Sequence, residues 1–181
     1  MTRQSSDLSR LVSQMLRHEP WLYELELDDE GWAPIGAVID GIHAAGLEWS
    51  DVDRSALEQM IADASKRRHE IEGDRIRALY GHSVPGRLKK EPGVPPALLY
   101  HGTSRGALET ILEAGIRRQN RQFVHLSVDA ATAFEVGRRK DPEPVVLRID
   151  TVEARRDGVE FYVGNESVWL ADQVPARVVS H

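Results

Sequence analysis

The chain has no cysteine among its 181 residues, which excludes disulfides and thiolate zinc sites. Its seven histidines show no H-E-x-x-H spacing, and no structural metal is expected. It also lacks any run of about 18 to 20 apolar residues, the length a membrane-spanning helix requires. Its first residues have neither the basic start nor the apolar stretch of a secretory signal, so the expected location is cytoplasmic, away from membranes. Positive charge is scarce: the net charge of -6 excludes a broad basic surface that grips any polynucleotide through its phosphates. Contact with nucleic acid would have to be local. What is present, 41% apolar and 29% charged residues, is the balance of a globular protein. A chain of this length builds one ordinary domain or two small ones with modest cores.

Leu8, Leu11, Val12, Met15 and Leu16 recur at helical spacing, predicting a helix over residues 6–17 that Pro20 stops. Residues 25–32 alternate weakly around an Asp-Glu-Gly turn. Pro34 then opens a second helix with Ile35, Val38, Ile39 and Ile42 on one face and Gly46 as its stop. Ser50 is the expected N-cap of a third helix, buried along Leu57, Met60, Ile61 and Ala64 and ending in Lys66, Arg67 and Arg68. Residues 70–79 alternate about Gly73 and Asp74 and read as a hairpin. Three helices followed by a hairpin suggest a winged helix over residues 1–83. Residues 84–96, rich in proline and glycine, resist helix and strand alike and are read as a linker.

The lobe over residues 97–181 begins with a strand at 98–101 and a helix carrying Leu108, Ile111 and Leu112 that stops at Gly115. Short β-branched or aromatic runs at 124–127, 145–149, 159–163, 168–170 and 177–179 predict strands, with one helix over 130–138. The fold class is therefore α+β. No G-x-G-x-x-G follows a strand, so a Rossmann dinucleotide site is not supported.

Several constellations carry chemistry. Arg17 and His18 sit where the first helix ends, offering a fork for phosphate oxygens and an imidazole that titrates near neutrality. For this pair taken alone, capping of the helix by two cations is the plainer explanation. Arg77 lies on the second hairpin strand with alternation setting it opposite Ile76 and Ala78; a solvated outer arginine is the plain alternative. Arg17, Arg67, Arg68, Arg75 and Arg77 all fall near apolar elements that could present them jointly. Tyr100, His101, Gly102, Thr103 and Ser104 pass from strand to loop to helix, where amides and small polar side chains meet an anionic or amide ligand, and Gly102 permits close approach. His125, Leu126 and Ser127 repeat the theme one strand later, while Arg138 and Arg139 end the following helix.

Taken in order, these pieces resemble the RNA 2′-phosphotransferase family, known for removing the splice-junction 2′-phosphate in tRNA splicing. The matching pieces are Leu16-Arg17-His18 with Pro20, Gly31-Trp32, Ile76-Arg77-Ala78 with Gly81-His82-Ser83, and Leu99-Tyr100-His101-Gly102-Thr103. His125-Leu126-Ser127, Val136-Gly137 with Arg139, Val145-Val146-Leu147, Phe161-Tyr162 and Val168-Trp169-Leu170 extend the match over nearly the whole chain. The resemblance implies an N-terminal winged-helix lobe joined to a C-terminal ADP-ribosyltransferase-like mixed α/β lobe, and NAD⁺ as a consumed co-substrate. It implies that Arg17, His18 and Arg77 hold the 2′-phosphate of a tRNA-like RNA, with Arg139 assisting, and that His101, Gly102, Thr103 and Ser127 seat NAD⁺ together with His125. It further implies attack of the phosphate on the nicotinamide ribose to give an ADP-ribosylated phosphate. Transesterification then yields 2′-OH RNA, nicotinamide and ADP-ribose 1″,2″-cyclic phosphate, with His18 as the expected proton mover. A monomer is expected.

Two departures from the family pattern stand out. Where the family reads Ile-Arg-Ala-Asn-Gln-Gly-His-Ser, Leu79 and Tyr80 replace the amides, and Lys140 and Asp141 follow Arg139 in place of a glycine. Two other functions stay open at this level: an ADP-ribosyltransferase acting on a terminal nucleic-acid phosphate or a protein, and a non-catalytic winged-helix sensor of NAD⁺ or ADP-ribose. The products separate the first, because simple transfer leaves ADP-ribose on its acceptor. DNA binding without turnover would mark the second.

Overall fold

A computed structural model of the chain describes residues 3–119 and 121–181. It contains two compact units, Met1–Lys89 and Lys90–His181, each with its own apolar core. Both mix helices with antiparallel sheet. Among the described residues no helix is long and apolar enough to cross a membrane.

The first unit opens with helix α1 (Arg3–Arg17), whose Leu8, Val12, Met15 and Leu16 form the buried stripe that the spacing predicts. Strand β1 (Trp32–Pro34) leads directly into α2 (Ile35–Ala45), which buries Val38 and Ile42 completely. Helix α3 (Arg54–Ala62) is shorter at both ends than its apolar pattern predicts. Ser50 instead closes a 3-10 turn, Leu47–Trp49, and the cap is Asp53, whose extended backbone lets its carboxylate accept the Ala56 amide at 2.9 Å. Lys66, Arg67 and Arg68 lie beyond the helix, because the Arg68 carbonyl already accepts the Leu79 amide at 3.0 Å beside the coming hairpin. That hairpin is β2 (His69–Glu72) and β3 (Arg75–Ala78), turning at Gly73 with φ 56°. The sheet order is β1-β3-β2, and the wholly buried Ile76 and Ala78 face the core of the three helices.

Residues 84–96 are less of a linker than their composition suggests. Val84 and Leu88 are buried, Leu88 packs onto Gly31, and β4 (Pro92–Gly93) pairs with a later strand. A sheet edge tolerates the missing proline donor.

The second unit is built on a seven-stranded antiparallel sheet. In chain order it adds β5 (Leu98–Thr103), α4 (Leu108–Ala114), β6 (Ile116–Arg117), β7 (Val124–Ser127), α5 (Ala130–Gly137), β8 (Val145–Asp150) and α6 (Thr151–Arg156), then β9 (Phe161–Asn165), β10 (Val168–Ala171), β11 (Gln173–Val174) and β12 (Val179–Ser180). The sheet runs β12-β8-β5-β7-β10-β9-β4, while β6 and β11 form a separate pair. Leu99, Leu126, Leu147 and Ile149 are among its most buried aliphatics, all from the central strands. The strand expected at 177–179 is mostly a 3-10 turn, Ala176–Val178, and α6 has no counterpart in the apolar pattern.

Candidate functional site

The end of α1 is where the first unit gathers its sequence-singled residues. A helix leaves its last carbonyls without intrahelical donors. Here the Ser83 amide donates to the Arg17 carbonyl at 2.8 Å, which brings the loop of residues 79–83 against the helix end. Gly81, at φ 90°, supplies the left-handed turn this approach needs. The Ser83 hydroxyl lies 2.8 Å from Nδ1 of the exposed His18 ring. The half-buried Arg17 guanidinium donates to the Arg68 carbonyl at 3.2 Å and lies 5.1 Å from the centre of the Tyr80 ring.

Beneath this surface lies His69, only 2% exposed, with Nε2 at 3.1 Å from Ser13 Oγ. Burial first, then the charges of Arg17, Arg68 and His82, hold its imidazole well below the usual histidine range. The ring is therefore a neutral support, and sequence reading missed it because an isolated histidine opening a strand carries no pattern.

Arg77 belongs to a different set of contacts. It occupies the middle strand of its sheet, directly across from Trp32 on one side and Glu70 on the other. Its Nε donates to Glu70 at 2.6 Å, Nη1 reaches Glu30 at 3.3 Å, and the guanidinium stacks 4.3 Å from the Trp32 ring centre. Arg75 stacks on the same tryptophan at 4.9 Å and pairs with Glu72, while Arg67 pairs with Glu70. Arg67, Arg75 and Arg77 are thus linked through two shared partners, Glu70 and Trp32.

In the second unit the expected nucleotide residues come together on neighbouring strands. Tyr100 of β5 is opposite Ser127 of β7, and Thr103 and Ser127 are both buried. His101 Nδ1 is 3.0 Å from the His125 carbonyl; an oxygen acceptor requires the proton on Nδ1, so Nε2 is an acceptor. Burial lowers the His101 pKa, the His125 carbonyl opposes the shift, and the positive charges of Lys140 and Arg121 reinforce it. His125 Nδ1 accepts from Arg121 at 3.1 Å, since a guanidinium can only donate. The arrangement offers a neutral nitrogen acceptor, on which the charges of Lys140 and Arg121 act, and two buried hydroxyls, Thr103 and Ser127. Arg121 and Lys140 carry no distinguishing signal in the sequence, where each reads as an ordinary surface cation.

Gly102 serves the packing of the sheet. A side chain there would run into the Ala133 carbonyl of α5, so the glycine lets that helix lie directly on β5. Arg139 follows the end of α5 and is exposed. The loop beyond it is anchored by Asp141, which accepts from the Arg105 amide, Nε and Nη2 at 3.0, 3.2 and 3.1 Å and from the Glu143 amide at 3.0 Å. Hydrogen bonds from the Arg105 guanidinium, then from the two amides, hold this carboxyl down at about 2.

Residues 3–173 match the model of the RNA 2′-phosphotransferase, Tpt1 / KptA family. A relative from Bacillus thuringiensis subsp. konkukian, named "Probable RNA 2′-phosphotransferase", is 48% identical over 97% of this chain and 94% of its own length. A relative from Acetivibrio thermocellus with the same name is 47% identical over 96% and 95%. One from Streptomyces coelicolor, again so named, is 41% identical over 94% and 91%.

Proposed function

Because the chain belongs to the RNA 2′-phosphotransferase, Tpt1 / KptA family, we propose that it removes an internal 2′-phosphate from RNA at the expense of NAD⁺. The products are 2′-OH RNA, nicotinamide and ADP-ribose 1″,2″-cyclic phosphate. The first unit, three helices followed by an antiparallel hairpin, is on this reading a winged-helix lobe, and the second an ADP-ribosyltransferase-like lobe.

The observation that carries the reading is the docking of Ser83 on the end of α1, its amide on the Arg17 carbonyl and its hydroxyl on His18 Nδ1. A phosphoryl centre with several anionic oxygens needs cations whose positions are set before charge develops. Arginine supplies that charge without a proton equilibrium. Arg17 and Arg77 bind the 2′-phosphate, and Arg139 assists. His18, held through Nδ1, moves a proton during transesterification.

NAD⁺ supplies an electrophilic anomeric carbon and a leaving group. His101, with its acceptor Nε2, and Thr103 and Ser127, with their hydroxyls, hold its polar groups; His125 fixes the His101 tautomer, and Gly102 keeps α5 on the sheet beneath them.

The test is incubation with NAD⁺ and a short RNA bearing one internal 2′-phosphate. Loss of the phosphate, with nicotinamide and cyclic phosphate formed in equal amounts, is expected. His18→Ala should accumulate RNA carrying ADP-ribose. An intact 2′-phosphate after prolonged incubation with wild-type protein would end this reading.

A further inference from the structure

A hollow in the first unit takes no part in the chemistry assigned above. It measures about 300 Å³ and lies between the 3-10 turn Pro20–Tyr23, residues 27–29 and the loop of residues 84–88. Two of its walls continue from the candidate site itself. Pro20 stands two positions after His18, and Val84 follows Ser83, whose hydroxyl meets His18 Nδ1 at 2.8 Å. The protein's own bonds brace these walls. The Ser83 amide on the Arg17 carbonyl holds one end of the loop. At the other end the Lys89 amide donates to the Asp29 carbonyl at 2.8 Å, and Lys89 Nζ to Asp29 Oδ2 at 2.7 Å.

The lining indicates what fits. Pro20, Val84 and Leu88 are buried and give an apolar floor. Trp21, in the same lining, is 55% exposed and presents a wide aromatic surface that the fold itself does not cover. The charged residues of the lining are Asp28, Asp29 and Arg87, acidic on balance, which disfavours a phosphate. A flat, neutral ring with N–H groups at its edge suits it better: the indole stacks its face, and carboxylate oxygens accept from its edge. Bases of single-stranded RNA are such rings, and aromatic side chains and arginine planes are their usual stacking partners.

We propose that this hollow is a base-binding subsite, in which one nucleobase adjoining the 2′-phosphate stacks on Trp21. The role rests on the reading that the end of α1 meets the RNA 2′-phosphate. It supplies what the net charge of -6 denies the chain, a hold on RNA that does not depend on gripping the backbone phosphates.

Steady-state kinetics at saturating NAD⁺ test this with 2′-phosphorylated RNAs of one length. One has all its bases; the others carry an abasic residue at the phosphorylated nucleotide or at either neighbour. One abasic RNA should show a KM raised about five- to hundredfold, the range for one lost stacking contact. Trp21→Ala should raise the KM for the complete RNA by a similar factor, with a much smaller effect on kcat and none on the KM for NAD⁺. Trp21→Phe, which keeps a ring, should recover most of the loss. With the sensitive abasic RNA, Trp21→Ala should add nothing, because base and indole belong to one contact. An unchanged KM in Trp21→Ala, or a rise that persists in full with every abasic RNA, would overturn the proposal. So would a change in sedimentation of Trp21→Ala without RNA, which would give the hollow to a second copy of the chain. If Trp21→Ala does not fold, Trp21→Gln is read by the same criteria. A wild-type protein that leaves the 2′-phosphate in place brings down the proposed function and this subsite together. Active wild type with an equally active Trp21→Ala brings down the subsite alone.

Discussion

Gly102 shows how one missing side chain decides a packing arrangement. An added Cβ would collide with the Ala133 carbonyl oxygen and stand 2.8 Å from the Gly137 amide nitrogen, both of them backbone atoms of a helix that cannot swing aside as a side chain can. Gly102→Ala should therefore cost about 3 kcal/mol, the upper range for overpacking, read as a fall in the urea midpoint. Gly36 is the control: it is exposed in α2 with nothing within 4 Å of an added methyl, and Gly36→Ala should stabilise by about 0.5 kcal/mol. A loss below about 1 kcal/mol at Gly102 would mean that α5 can lift off β5. The sequence marks such a glycine as a place of close approach but cannot say what approaches, ligand or helix. Arg77 is legible in the same partial way: alternation gives its face, while its three partners come from strands and a turn brought together only by the sheet.

At the scale of elements, the readable ones carry both a period and a punctuation mark. Helix α2 lies between Pro34 and Gly46, and β7 occupies residues 124–127 as the β-branched and alternating run predicts. Helix α6 has six largely polar residues and is fixed by its Asp150 cap, 2.9 Å from the Glu153 amide, which leaves no apolar rhythm to find. The loop after α5 is equally hidden, because its anchor Asp141 pairs with Arg105, 36 positions earlier. With a folded pKa of about 2 against an ordinary 3.8, this carboxylate adds stability that is complete above about pH 4 and is lost as pH falls toward 2. Asp141→Asn should melt at lower temperature than wild type at pH 7, with faster amide exchange over residues 138–143, and the two melting points should converge in that acid window. A difference that persists unchanged at pH 2 would assign the effect to packing rather than to charge.

For the molecule as a whole, the division into two mixed units is foreshadowed by two families of periodic segments separated by a proline-rich stretch. Burial of histidine is not, because it depends on which cations and apolar groups the finished cores bring together. Each unit holds an imidazole whose pKa lies below 6.5: His69, sunk beneath α1, and His101, under β7's carbonyl. Both hold out against protonation to a lower pH in the folded state than an unfolded histidine, which takes up a proton below about 6.5. The unfolded chain then binds more protons, so stability is full above that pH and declines as pH falls through it, by up to about 1.4 kcal/mol per unit for each histidine. Urea midpoints measured between pH 7.5 and 5.5 should fall accordingly in wild type. His69→Gln, which keeps a hydrogen-bonding group for Ser13 but cannot titrate, should flatten the decline of the first unit and leave that of the second, where His101 still acts. Equal slopes in His69→Gln and wild type would show that the ring under Arg17 accepts a proton in the folded protein, and that water or an anion reaches it.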